Sequence, residues 1–446
     1  MTVATPARPS FADTVAVYLQ RRVLVVMFLG FSSGLPLALS GSTLLVWMRE
    51  AGVDLGTIGL LALVGTPYTV KFLWAPLVDA LDVPILSRRL GRRRGWLLLS
   101  QLLLMVAIVF LGACDPSVSP PIVAVGAFMV ATASATQDIV VDAFRVESLD
   151  ESEQAAGMAG YVAAYRIGML ASTAGALFLV SALQGLGFGY RGGWTAGYAV
   201  MAALVLIGVA TTLFATEPEK SRAADAAHVR ENTLQRVGEA AIGAFSEFLT
   251  RDMALAALVF VVLFKFTDAL SGAMTAPFVI DLGFSRNEYA AIIKGVGLAA
   301  TLIGGFAGGV VARAYSLPMS LLLGGVLQGA ANLAFSWQAV IGHNLSWLTF
   351  AIVAENFTSA IGTVIFVAYL SALCRNPLHT ATQYALLTAL AAVGRTYLSA
   401  GAGFIAAATG WAWFFVICAC AGLPALILLA WLHKHRHFDG LAPAQG

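Results

Sequence analysis

Eight ionisable side chains lie inside long apolar stretches of this 446-residue sequence. They are Arg166, Lys265, Asp268, Glu355 and Arg395 near the middle of their stretches, and Lys71, Asp138 and Lys294 nearer to the ends. A charged group surrounded by hydrocarbon costs at least about 2.5 kcal/mol, so such groups face water, a ligand or one another. Five of the eight are positive and three are negative, which favours an anion in any cavity they share.

The two arginines are the strongest candidates for contact with a ligand. Arg166 and Arg395 fall in equivalent places of two similar stretches, and a guanidinium presents a planar fork that matches a carboxylate or a phosphate. The alternative interpretation is that a neighbouring acid, such as Asp138 or Glu355, neutralises each arginine. In that case the pairs only hold helices together.

Three of the acids are candidates for carrying a proton. Glu355, followed by Asn356, has no basic neighbour in sequence, and we expect it to exchange a proton ahead of the other two. Asp268 follows Lys265 by three residues and shares its helix face, which predicts either a coupling switch or a static ion pair. Asp138 is the third candidate.

Neutral polar side chains on the same stretches add hydrogen-bonding and stacking surface suited to sugars. Together with the basic residues they complete the predicted ligand contacts, which are Arg166, Arg395, Lys265, Gln137, Tyr165, Asn356, Gln383, Tyr384, Lys71 and Lys294.

The elements that must position these residues are membrane-spanning helices. Hydrophobic residues make up 59% of the chain and charged residues 11%, more apolar surface than a soluble core of this size can use. A helix needs about 20 apolar residues to cross the hydrocarbon layer. Twelve such runs are predicted, at 23–47, 56–79, 95–113, 121–141, 156–181, 194–215, 253–280, 288–312, 317–337, 346–373, 379–407 and 411–432.

Positive charge is distributed unevenly among the connections between these runs. With both termini in the cytoplasm, the cytoplasmic segments hold 18 of the 26 Lys and Arg residues, and the outer loops hold only Arg49, Arg191 and Arg286. Short loops rich in Lys and Arg stay on the cytoplasmic side. The sequence therefore predicts a multi-pass membrane protein with both termini in the cytoplasm.

The long polar stretch after the sixth run divides the chain into two halves. We expect a cytoplasmic tail at 1–22, a six-helix bundle at 23–215, a linker at 216–252, a second six-helix bundle at 253–432 and a tail at 433–446. Gly52 and Gly283 lie 231 positions apart, and Gln154 and Arg166 match Gln383 and Arg395 at a shift of 229. Such a repeat is typical of secondary transporters, whose substrate site lies near mid-membrane where the repeats meet.

The connection after the second run carries a recognisable motif. Ala75-Pro76-Leu77-Val78-Asp79, followed by Gly91-Arg92-Arg93-Arg94, resembles the signature of the major facilitator superfamily with an insertion from Ala80 to Leu90. Asp138 and Asp142, four residues apart, present an acidic helix face that the arginines could reach. We predict an all-α major facilitator fold of twelve transmembrane helices, with a gate formed by Asp79, Gly91, Arg92, Arg93, Arg94 and Asp142.

Composition argues against several other classes of protein. A net charge of +2 gives no reason to expect a nucleic-acid partner. The six His residues avoid the middles of the apolar runs and the four Cys form no framework, so we expect neither a metal nor a cofactor. Glu and His pairs at catalytic spacing do not occur, so we do not expect an enzyme.

Five stretches carry a closer resemblance. FLGFSSGLPLAL, TIGLLALVGTPYTVKFLWAPLVD, SATQDIVVDAFR, FKFTDAL and TATQYALLTALAAVGR resemble the AmpG-type muropeptide permeases of Gram-negative bacteria. The resemblance implies proton-driven import of anhydromuropeptides, which are GlcNAc-anhydroMurNAc peptides, from periplasm to cytoplasm for peptidoglycan recycling. It also implies a location in the bacterial inner membrane and an influence on β-lactamase induction.

Other functions remain open at this point. A weaker resemblance to acetyl-coenzyme A transporters leaves another bulky anion, such as a coenzyme A thioester, as the alternative substrate. An exporter is less favoured because the fifth run has no Pro between Tyr161 and Phe178. A membrane sensor or scaffold is less favoured because the only sizeable soluble part is the linker. We expect the transporter to act as a monomer with a small-molecule substrate, protons and the lipid bilayer as its partners.

Overall fold

A computed structural model describes residues 17–150, 153–218, 250, 252–373, 380–439 and 441. Every regular element in these ranges is helical. The reason is the solvent: no water reaches the backbone in the hydrocarbon layer, so each crossing segment must satisfy its own N–H and C=O groups, as a helix does.

Ten helical segments are long and apolar enough to cross a membrane. One of them, Gly160–Phe214, has 55 residues and turns at Gly187, where φ is +95°, so it contains two crossings. Helix 380–409, with a short 3-10 turn at Leu398–Gly401, is a further one. The described residues thus contain twelve spans: α1 (Arg21–Glu50), α2 (Leu55–Leu73), α3 (Arg92–Ala113), α4 (Pro120–Ser148), α5 (154–183), α6 (189–214), α7 (Ala254–Asp281), α8 (286–314), α9 (Leu317–Ile341), α10 (Leu345–Leu373), α11 (380–409) and α12 (Trp411–Lys434).

Two of the predicted spans end at the wrong place. The span predicted at 56–79 ends at Leu73, and Trp74, with φ −111° and ψ −1°, separates it from the short helix Ala75–Ala80. The span predicted at 121–141 continues as α4 to Ser148, since polar residues extend a helix freely beyond the apolar layer.

The chain forms two compact units that interleave in sequence. The first is made of the described residues within Met1–Ser40, Lys71–Cys114 and Val125–Glu231. Its core includes Leu29 of α1, Leu97 of α3 and Phe144 of α4, all essentially inaccessible to solvent.

The second unit is made of the described residues within Gly41–Val70, Asp115–Ala124 and Asn232–Gly446. Aromatic rings dominate its core. Phe264 of α7 stacks on Phe366 of α10 with ring centroids 5.3 Å apart, and Phe260 meets the edge of Tyr369 at 5.3 Å.

Small residues let α8 approach α10 closely within the second unit. Gly304 and Gly308 face the backbone of α10 at Phe357 and Ile361, where an added Cβ would clash. Gly305 and Gly309 face open space instead. The spacing of four therefore produces the close contact on one helix face only, as expected for packing between small residues in membranes.

The turns after α1 and α7 have the same backbone geometry. Gly52 has φ +82° and Gly283 has φ +84°, and each donates its N–H to the carbonyl three residues earlier. Each turn leads into a capped helix. Asp54 accepts hydrogen bonds from the Thr57 backbone and hydroxyl, which lowers the pKa of the Asp54 carboxyl. Ser285 begins the matching helix with a capping box, so the repeat offset of 231 is also a structural one.

Candidate functional site

A polar cluster on α7, α9 and α10 lies inside the second unit. Lys265 Nζ donates to Asp268 Oδ2 at 2.8 Å and to Thr363 Oγ1 at 2.8 Å. The same Asp268 oxygen also accepts from Gln328 Nε2 at 3.0 Å and from Ser359 Oγ at 3.1 Å. We refer to Lys265, Asp268, Gln328, Ser359 and Thr363 as the α7 cluster. The charges of Lys265 and Asp268 compensate each other, and neutral donors from α9 and α10 complete the hydrogen bonds of the Asp268 carboxylate.

The local backbone explains why Lys265 can reach these partners. α7 consists of helices Ala254–Phe264 and Phe266–Asp281, and Lys265 between them has φ −92° and ψ −2°. The break frees Lys265 from regular helix geometry while Asp268 follows one turn later. The Lys265 ammonium also lies 6.0 Å from the centre of the Phe366 ring, within cation–π range.

Glu355 and Asn356 form a second polar group on α10. Asn356 Nδ2 donates to Glu355 Oε2 at 2.9 Å and to the Ile352 carbonyl at 2.9 Å. Thr301 of α8 donates to Asn356 Oδ1 at 3.1 Å. The amide of Asn356 therefore orients the Glu355 carboxylate, and the printed sequence gave no sign that Thr301 supports it.

In the first unit, the predicted residues of α4 meet serines of α1. Ser33 Oγ donates to Asp138 Oδ1 at 2.7 Å, and Gln137 Nε2 lies 3.4 Å from Ser33 Oγ. Gln137 is fully buried, and its side-chain carbonyl has no hydrogen-bond partner within the part of the chain that the structure describes. Lys71 lies near enough for its charge to act on Asp138.

Tyr165 pairs with another tyrosine of α5 in the same unit. Its ring centroid lies 6.1 Å from that of Tyr161, with the planes tilted by 31°. Both rings are partly exposed, so they provide aromatic surface of the kind that stacks on sugars.

The two candidate arginines differ from all of these groups. Arg166 on α5 belongs to the first unit and Arg395 on α11 to the second, and both side chains are exposed. Among the residues that the structure describes, no acid pairs with either guanidinium. The structure therefore does not pair Arg166 or Arg395 with Asp138 or Glu355.

Four predicted side chains lie outside what the structure describes. The backbone places Gln383 and Tyr384 on α11, Lys294 on α8 and Asp79 on the short helix Ala75–Ala80. Their roles stay predictions.

The arginine triplet has acidic partners that the sequence analysis did not name. Arg93 Nη2 donates to Glu147 Oε1 at 2.6 Å, and the Glu217 carboxylate accepts from the backbone N–H groups of Arg93 and Arg94 at 2.9 and 3.1 Å. Asp142 lies 4.0 Å from Arg145. The extension of α4 explains the contact with Glu147, because this residue lies in the last turn of α4 and reaches the first turn of α3. The predicted contacts of Asp79 and Asp142 with the triplet stay predictions.

Further contacts fix the start of α3. Gly91 precedes it with φ +96°, a conformation that glycine adopts without strain, and packs against the Glu217 side chain. Arg92 is buried, and Arg94 donates to the carbonyls of Thr212 and Leu213 at the end of α6. The predicted gate residues Gly91 to Arg94 therefore join α3, α4 and α6.

Sequence analysis missed a second set of ion pairs, which links the turns after α1 and α7. Arg49 pairs with Asp281, with Nη2 to Oδ2 at 2.8 Å, and Arg286 Nε donates to Glu50 Oε1 at 2.9 Å. Trp411 Nε1 also donates to Asp281 at 3.0 Å. We refer to Arg49, Glu50, Asp281 and Arg286 as the crossed pairs. Glu50 and Asp281 are themselves 231 residues apart, so the repeat offset was a signal that could have identified them.

Within the described ranges, no group of three His, Cys, Asp or Glu side chains is arranged to hold a metal ion.

Comparison with known proteins decides the family. Residues 26–374 match the sequence profile described as Major Facilitator Superfamily. The chain belongs to the major facilitator superfamily. Within that superfamily it is similar to the anhydromuropeptide permease of Escherichia coli strain K12, with 39% identity over 414 residues, covering 93% of this chain and 80% of the relative. The putative transporter AmpG 4 of Rickettsia felis is 34% identical and covers 93% of this chain and 97% of its own length.

Solved structures agree on the major facilitator fold. The nucleoside transporter NupG superposes with a TM-score of 0.69 at 11% identity, covering 92% of this chain and 99% of that one. A D-xylose-proton symporter gives 0.66 at 14% identity, with 92% and 97% covered. This major facilitator chain is thus an all-helical membrane transporter of the AmpG type, and its relatives are transporters and not enzymes.

Proposed function

We propose that the chain is a proton-coupled permease of the bacterial inner membrane that imports anhydromuropeptides from periplasm to cytoplasm. The observation that carries the proposal is the 39% identity to the anhydromuropeptide permease over 93% of the chain. Both termini are cytoplasmic in this proposal, because the arginine-rich connection before α3 then lies inside. The imported peptides enter peptidoglycan recycling, and their cytoplasmic concentration influences β-lactamase induction.

Arg166 and Arg395 support an anionic substrate. Their guanidinium groups are exposed and lack an acidic partner among the described residues, so each has its donors available for a carboxylate of the stem peptide. Tyr165 and the other predicted neutral contacts supply hydrogen bonds and ring surface for the sugar pair, and Gln137, which is fully buried, joins them only after a conformational change uncovers it. In this proposal, substrate carboxylates provide the negative charge that no described acid places beside the arginines.

Glu355 is the proposed proton carrier. Asp268 would have to give up its ion pair with Lys265 in order to take up a proton. Glu355 accepts a hydrogen bond from Asn356 and has no basic neighbour in sequence. Asp268 and Asp138 remain the second and third candidates.

Two sets of contacts are proposed as gates on opposite membrane faces. Gly91 to Arg94, with Glu147 and Glu217, form the cytoplasmic set, and the crossed pairs form the periplasmic set. The loops that follow the first and seventh spans are opposite the arginine-rich connection because successive spans alternate in direction. Each set must separate when its own side opens.

Uptake into proteoliposomes tests the proposal. Labelled anhydromuropeptide should accumulate when the outside is made acidic and should accumulate less without a proton gradient. Unlabelled anhydromuropeptide should compete, and a coenzyme A thioester should not. Lack of uptake above protein-free liposomes, with correctly folded protein, would contradict the substrate assignment. Uptake that ignores the gradient would contradict the proton coupling alone.

A further inference from the structure

An open apolar groove of about 510 Å³ runs along the first unit between α1 and α6. Leu24, Val25 and Phe28 line it from α1, and Ile207, Ala210 and Phe214 line it from α6. Phe214 is 75% exposed and Leu19, at the mouth, is 71% exposed. An apolar groove on a membrane-spanning unit is filled by hydrocarbon, because water gains no hydrogen bonds there.

One charged residue stands at the mouth of this groove. Arg21 is the first residue of α1 and lines the groove, and its Nη2 donates to the Phe214 carbonyl at 2.5 Å. That contact fixes the guanidinium at the end of the groove and leaves its remaining N–H groups for another acceptor. A guanidinium has five N–H donors in total.

The acids around Arg21 already have other partners. Asp150 pairs with Arg22 at 2.9 Å, and Glu147 pairs with Arg93 at 2.6 Å. Glu217 accepts from the backbone at the start of α3. Within the part of the chain that the structure describes, the positive charge of Arg21 therefore has no carboxylate partner.

We propose that this groove binds one anionic phospholipid, with the phosphate on Arg21 and one acyl chain between α1 and α6. The span begins at Arg21, which is the depth of the headgroups, and the groove runs from there toward the centre of the bilayer. From Arg21 to Phe28 the helix rises about 10 Å, enough for a segment of acyl chain. Free phosphate satisfies only the guanidinium, whereas a phospholipid also fills the groove, so the lipid is the occupant.

Lipid retention measured by native mass spectrometry tests this proposal. The full chain is extracted from nanodiscs that contain equal amounts of phosphatidylglycerol and phosphatidylcholine, and the bound lipids are counted. Wild type should retain one phosphatidylglycerol in preference to phosphatidylcholine. Arg21→Gln should lower that preference about fivefold, as expected when one basic residue near an anionic headgroup is removed. Arg21→Lys should retain part of it.

Two further variants distinguish the contribution of the headgroup to lipid binding from that of the acyl chain. Arg89→Gln removes the same charge from an exposed residue that does not line the groove, and it should leave the preference unchanged. Ala210→Trp fills the groove without changing any charge and should reduce retention of both lipids. Equal preference in wild type and Arg21→Gln would overturn the proposal. Displacement of the lipid by millimolar inorganic phosphate would also overturn it, because the groove would then add nothing to binding.

Discussion

The α7 cluster and Arg395 belong to the same compact unit, yet the charges of the cluster are compensated within the protein and the charge of Arg395 is not compensated by any described acid. Lys265 and Asp268 neutralise each other, and three neutral side chains complete their hydrogen bonds. Arg395 is exposed and has no acidic partner among the described residues. A closed set of partners stabilises the protein by itself, whereas an open guanidinium in a membrane span implies that something else supplies the negative charge. We infer that the first is a structural or coupling element and that the second contacts substrate.

The largest effect on uptake is expected from removing the two arginines that have no acidic partner among the described residues. Arg395→Ala, and separately Arg166→Ala, should lower muropeptide uptake by about 10- to 100-fold, because a charge-assisted hydrogen bond contributes about 1.5–3 kcal/mol. Uptake into proteoliposomes at equal protein content measures this. Arg436→Ala, whose side chain is 86% exposed, is the matched control and should transport normally. Normal uptake by both test variants would contradict an anionic contact.

Removing one partner of the Lys265–Asp268 ion pair should reduce the stability of the protein before it reduces transport. Lys265→Ala leaves the Asp268 carboxylate without its cation, which should lower the free energy of unfolding by about 2 kcal/mol, less than for a fully buried pair. Thermal unfolding in detergent measures this loss.

The double variant sharpens the same test. Lys265→Ala with Asp268→Ala should recover part of the stability, because no unpaired charge remains. If stability recovers but uptake does not, Lys265 would be assigned to the substrate contacts instead.

Glu355→Gln should remove the gradient-driven part of uptake. The amide cannot carry a proton, while Asn356 can still hydrogen-bond to it, so exchange of labelled for unlabelled substrate without a gradient should continue. Asp268→Asn is the matched acid variant. If gradient dependence disappears in Asp268→Asn and persists in Glu355→Gln, the two acids exchange their proposed roles.

The smallest effect is expected at the crossed pairs, because their charges are already paired with each other in partly exposed loops. Glu50→Gln should raise the population of the periplasm-open state about fivefold, since such a pair contributes about 1 kcal/mol. Spin labels on Leu60→Cys and Ala291→Cys, two exposed positions beyond these turns, report the change as a longer distance component. Asp54→Asn removes an acid from the same loop without touching a pair, and it should leave the distances unchanged.

Features that depend on short stretches of chain could be predicted from the sequence. Hydropathy located the twelve helices, the spacing of Lys265 and Asp268 indicated their contact, and the offset of Gly52 and Gly283 indicated matching turns. In each case a single helix or turn determines the geometry. The division into two six-helix halves and the roles of the site residues stay predictions.

Contacts between distant helices could not be predicted in the same way. Gln328 and Ser359 reach Asp268 across 60 and 91 residues, and the sequence contains no rule for which face of α9 or α10 turns toward α7. The sequence analysis did not single out Glu147, which pairs with Arg93, because this residue lies beyond the apolar part of α4, where hydropathy does not show that the helix continues.

The crossed pairs have an electrical consequence. Each turn contributes one arginine and one acid, so the four residues carry no net charge on either side of the contact. Separating the crossed pairs therefore transfers no net charge of these four residues through the transmembrane field, where a full elementary charge would exchange about 2.3 kcal/mol per 100 mV. The crossed pairs by themselves should then add no voltage dependence to opening at this face.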